Sequence, residues 1–75
     1  MQKQILLKTV LMEEFSYKEK SILKLIAAGR TSQEIADELH LSLPTIKWYR
    51  KKMKEKTASE TTVEMIRKAI ENKLL

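Results

Sequence analysis

Six basic side chains fall between positions 42 and 56: Lys47, Arg50, Lys51, Lys52, Lys54 and Lys56, opposed by Glu55 alone. The 75-residue chain carries 15 Lys and Arg against 10 Asp and Glu, so the other residues hold nine of each sign and cancel. The whole formal excess of +5 therefore sits on one short stretch. Such a cluster offers concentrated positive charge, and its chemistry is the binding of a polyanion. Nothing nearby suggests bond making. There is no cysteine, so neither a disulfide nor a thiolate metal site can form. His40, the lone histidine, has no second ligand in reach along the chain, and a cap or surface role suits it better than a metal. No glycine loop cradles phosphates, and no nucleophile has an obvious base. The chain is expected to be no enzyme and to need no metal or cofactor.

The elements that must position these residues are helical. With one glycine and one proline, hairpins have little room. The stretch SLPTIKWYRKKMKEK predicts a helix over 43–56, capped by Ser42 and with Pro44 tolerated in its first turn. Ile46, Tyr49 and Met53 recur on one face, and Lys47, Trp48, Lys51 and Lys52 fall on the other. Ser16 to Glu19 reads as a capping box opening a helix to Ala28, with Ile22, Leu23 and Ile26 inward and Gly29 as the stop. Thr31 to Glu34 reads as a second box, opening a short helix that buries Ile35, Ala36 and Leu39. His40 and Leu41 make the turn into the basic helix. Residues 57 to 61 form a polar link. Thr61 to Glu64 reads as a third box, opening a last helix to about residue 73. Its inward stripe is expected to be Val63, Ile66, Ile70 and Leu74, with Met65 and Ala69 on a different face. Residues 1–14 carry Leu6, Leu7, Val10 and Leu11, the pattern of an amphipathic helix or an ordered linker. They are a strap on the domain or a docking surface for a preceding domain or second chain. No apolar run approaches a membrane span, and the absence of cysteine agrees with a reducing compartment such as the cytoplasm.

A short helix, a tight turn and a second, basic helix make the helix-turn-helix arrangement, whose second helix enters the major groove of duplex DNA. The run SYKEKSILKLIAAGRTSQEIADELHLSLPTIKWYR also resembles the LuxR/GerE-type helix-turn-helix domain, the output domain of many bacterial response regulators. The resemblance spans about residues 15–75. It rests on Glu19, Leu23, Leu25-Ile26-Ala27, Gly29, Ser32, Glu34-Ile35-Ala36, Leu39, Leu41-Ser42 and Thr45-Ile46-Lys47. It implies an all-α, four-helix domain with an additional N-terminal segment, a third helix that reads DNA and a fourth that often pairs two copies. The chain departs from the pattern at Thr57-Ala58, where Leu-Gly is usual, which predicts a reshaped turn or a longer helix. It departs also at Trp48, Tyr49 and Lys73, where a smaller residue, histidine and glycine are common.

Lys47, Trp48 and Lys51 point away from Ile46 and Met53 and match the family's reading positions, so they are the candidates for base edges. Packing against a neighbouring helix is an equal alternative for Trp48. Thr31, Ser32, Ser42, Thr45, Arg50, Lys52, Lys54 and Lys56 are candidates for phosphate contact, because hydroxyls and amides at helix N-termini suit anions. For Arg50, a pair with Glu34 or Glu38 weighs equally. Thr62, Met65 and Ala69 form a small uncharged strip suited to a two-fold contact. The expected partners are double-stranded DNA, a second copy of the chain on that DNA, and a receiver, sensor or partner protein through residues 1–14. The alternative is a protein-interaction module, an antagonist of a regulator, that keeps the fold without binding DNA.

Overall fold

The computed structural model describes residues 15–75; the expectations for residues 1–14 lie outside the described residues. Four helices follow one another: α1 (Tyr17–Ala27), α2 (Ser32–Leu39), α3 (Leu43–Lys56) and α4 (Thr62–Glu71). Helices α2 and α3 pack together, α1 packs on both, and α4 packs on α3. The all-α, four-helix arrangement expected from the sequence is present. No described helix is long and apolar enough to cross a membrane.

Each helix starts on a hydroxyl. Ser16 accepts the Glu19 amide, and the Glu19 carboxylate accepts the Ser16 amide at 2.9 Å, so the first capping box is complete. Thr31 and Glu34 close the second box in the same way. Ser42 accepts the Thr45 amide, with Pro44 in the first turn of α3. The third box is only half made. Thr61 accepts the Glu64 amide, but the Glu64 carboxylate reaches past it to the Glu60 amide at 2.9 Å.

The helix ends share one device. After α1, the amides of Gly29 and Arg30 bond back to Ile26 and Leu25. The same double bond recurs from His40 and Leu41, from Ala58 and Ser59, and from Lys73 and Leu74. It is the Schellman ending, which needs a left-handed residue after the cap. That residue is Gly29, His40, Ala58 or Lys73, with φ of +87°, +57°, +51° and +58°. At Thr57-Ala58, α3 stops at Lys56, with Ala58 in the left-handed position of the same ending. Thr57 fits the buried position because its hydroxyl donates to the Met53 carbonyl at 2.9 Å.

The core gathers Phe15, Ile22, Leu23, Ile26, Ile35, Ala36, Ile46, Met53, Met65, Ala69 and Leu74. Leu39 and Tyr49 pack against it only partly buried. The stripe expected on the last helix needs correction. Met65 and Ala69 are fully buried, whereas Val63 and Ile70 are 79% and 59% exposed. Of the expected stripe, Leu74 is in the core and Ile66 is half-buried at its margin. Two polar ties choose this face: Arg50 donates to the Thr62 hydroxyl at 3.0 Å, and the Lys68 ammonium donates to the carbonyls of Thr57 and Ala58. They turn the 62, 65, 68, 69 side of α4 toward α3.

Candidate nucleic-acid interface

Helix α3 stands on Ile46 and Met53, both fully buried, with Tyr49 half-buried beside them. This fixes the rotation of the helix. Lys47, Trp48, Lys51 and Lys52 then face outward and are exposed. Trp48 retains 54% of its surface, so it does not pack away against a neighbouring helix. Its ring meets that of Tyr49 edge to face at 5.0 Å, and the Lys52 ammonium lies 4.7 Å from its centroid. Trp48, Lys51, Lys52 and Glu55 line one shallow groove along the helix.

The N-terminus of α3 differs from the others. Helices α1, α2 and α4 each carry a glutamate in the first turn, and α3 has none. Its partial positive charge is left unneutralised by its own side chains, which favours an anion there. Ser42 and Thr45, hydrogen-bonded to each other at 2.8 Å, sit at that end. Thr31 is in the opposite situation. Its hydroxyl and amide are both engaged by Glu34, whose carboxyl is held below the ordinary range by the Thr31 amide and hydroxyl, with Arg30 adding a smaller pull against slight desolvation. Ser32 is half-buried in the first turn of the same helix.

Three of the expected contacts are used inside the molecule. Arg50 pairs with neither Glu34 nor Glu38 but donates to Thr62. Lys56 turns back to Glu19 at 2.8 Å and lies 5.5 Å from the Phe15 ring centroid, with 18% of its side chain exposed. Met65 and Ala69, expected on a two-fold contact with Thr62, are core residues, and Thr62 is the acceptor for Arg50. A surface strip needs accessible side chains, and these two have none.

Glu19 is the buried counterpart of the basic helix. Its side chain is 3% exposed, and one oxygen takes both Lys56 and the Ser16 amide. Burial alone pushes its carboxyl up; the Lys56 ammonium and the Ser16 amide and hydroxyl outweigh that and hold it below its ordinary value. The other oxygen is buried with no hydrogen-bond partner among the described residues. Sequence reasoning gave Glu19 only its capping role, since the Lys56 contact spans 37 positions. The Lys52–Trp48 contact was legible in principle, because residues four apart share a helix face.

The chain matches the family model described as bacterial regulatory proteins, luxR family, over residues 13–69. It is also similar to the transcriptional regulatory protein MctR of Rhizobium johnstonii, with 40% identity over 55 residues, or 73% of this chain. The matched region is 26% of that relative, so the chain spans about a quarter of the protein it resembles.

Proposed function

The chain belongs to the luxR family of bacterial regulatory proteins, and from that premise we propose that it recognises a specific duplex sequence by laying α3 in the major groove. One observation carries the reading: exposed Lys47, Trp48 and Lys51 share a face of a helix anchored from behind by fully buried Ile46 and Met53. A groove about 12 Å wide admits one such helix, and guanine offers acceptors to either lysine. Helix α2 braces the pair and presents Ser32 at the backbone. Ser42 and Thr45 take a phosphate at the unneutralised N-terminus of α3. Lys54 adds charge at the flank, while Arg50 and Lys56 hold the domain together instead.

One domain reaches few base pairs, so two copies act together on a repeated half-site. The surface proposed for that contact is the outward apolar face of α4, Val63 and Ile70 with Ile66 at its edge, in place of Met65 and Ala69. The regulator as a whole works in the cytoplasm, with a receiver or sensor domain joined through residues 1–14.

The test is selection of bound duplexes from a random pool, followed by titration of the winner and of unrelated DNA. Enrichment of a repeated half-site is expected. The complex should weaken as salt rises, because basic side chains of α3 displace counterions from the duplex. Lys51→Ala should cost about 1–3 kcal/mol on the selected duplex and less on unrelated DNA. Equal losses on both would make Lys51 a phosphate contact. No binding to any duplex at low salt would leave the interaction-module reading in place of this one.

A further inference from the structure

We infer that Lys52 is a positioning residue, holding the Trp48 ring so that its free apolar surface selects the C5-methyl group of a thymine at one step of the site. The inference rests on the DNA-reading proposal above and adds what is read and by which unit.

Trp48 and Lys52 are one helical turn apart on the outward face of α3, and the ammonium lies 4.7 Å from the indole centroid. A cation over a ring face is attracted by its quadrupole, enough to favour the held arrangement about threefold at an exposed site. The Tyr49 ring, at 75° to the indole and 5.0 Å away, braces it from the side of the core. An indole that is 54% exposed would otherwise sample several rotamers. Here an ammonium and a second ring favour one. A lysine engaged on the ring is also directed away from a flanking phosphate, so Lys52 differs in role from Lys47 and Lys51.

What the held ring can recognise follows from the base edges. In the major groove, three of the four bases offer only donors and acceptors, and thymine alone adds an apolar methyl group. The exposed indole surface, in the groove it shares with Lys51, Lys52 and Glu55, is the matching apolar feature on this helix face. The neighbouring lysines can satisfy acceptors on adjacent bases while the ring covers the methyl.

The experiment uses the full 75-residue chain and the duplex enriched by selection. Each thymine is replaced in turn by uracil, which removes the methyl group and nothing else. One replacement per half-site should weaken wild-type binding about fourfold, the worth of one buried methyl. Trp48→Ala should bind more weakly and lose that sensitivity. Lys52→Gln should lose most of it, and Lys52→Arg, which keeps a cation over the ring, should retain it. The chain has a single tryptophan, so selectively excited tryptophan emission of the free protein reports Trp48 and should change in Lys52→Gln but little in Lys52→Arg. If no uracil substitution matters on a duplex that is still bound specifically, methyl reading falls and DNA reading stands. If Lys52→Gln leaves emission and uracil sensitivity unchanged and lowers the salt slope by about one, Lys52 is a phosphate contact and the positioning role falls. If no duplex is enriched, the underlying reading fails and this inference with it.

Discussion

At the scale of the residue, the same side-chain type does two opposite jobs. Lys47 and Lys51 leave their charge in water, where it can meet another molecule. Lys56, on the same helix, gives its charge to a carboxylate that is 97% covered. Removing one partner of such a pair strands the other charge in a poor solvent. Lys56→Met is therefore expected to lower the unfolding free energy by about 3 kcal/mol, measured by urea denaturation, and adding Glu19→Gln should recover part of that loss. If the double variant is no more stable than Lys56→Met, the carboxylate charge is not the cause. Acid gives a second reading of the same contact. Glu19 is held below its ordinary 4.5 in the folded chain. Its contribution is thus complete above that pH and disappears as the pH falls below it through the lowered value. The drop in thermal midpoint on acidification should be smaller in Glu19→Gln than in the wild type.

At the scale of the element, four helices stop by one mechanism with four different residues. Gly29 takes the left-handed turn without steric cost, and a Cβ there would meet nothing within 4 Å. Gly29→Ala therefore has a purely conformational penalty. Ala58 already bears that penalty at the end of the basic helix, with φ at +51°. Ala58→Gly should raise stability by about 1 kcal/mol and the melting midpoint by about 5 °C, with the circular dichroism spectrum unchanged. A lowered midpoint would mean that the Ala58 methyl group has a packing role that offsets its strain. The end of α3 tolerates alanine because it is tied from outside: Lys68 donates to the carbonyls of both Thr57 and Ala58. A lysine at a helix C-terminus also meets the negative end of the dipole, so α4 reinforces from outside an ending that α3 already makes.

At the scale of the whole molecule, α4 has one face in the core and one that is apolar and uncovered. Val63 and Ile70 lie two turns apart on the outward side, where charge would cost the isolated domain little. Val63→Asp or Ile70→Asp should leave unfolding within about 0.5 kcal/mol of wild type. Either should still weaken binding to a duplex with two half-sites much more than to one with a single half-site. Equal weakening of the two would remove α4 from the two-fold contact. Met65→Ala, by contrast, should destabilise the monomer by about 2–5 kcal/mol, as loss of a fully buried side chain does.

The sequence by itself determined what depends on neighbours along the chain. Helix starts are set by a hydroxyl and the amide three positions later, so Ser16, Thr31, Ser42 and Thr61 were each legible as caps. The outward rotation of α3 was legible too, because Ile46 and Met53 offer that helix one apolar face. Only the tertiary structure decided which side of α4 turns inward. That helix carries two stripes at helical spacing, and the more apolar one lost, since Arg50 and Lys68 fasten the other to α3. It decided likewise that Arg50 and Lys56 belong to the fold while Lys47 and Lys51 remain free for a partner. Charge is a property of the residue, but whether a carboxylate or hydroxyl lies within reach depends on residues 12 and 37 positions away. Distances of that kind exist only after the helices have packed.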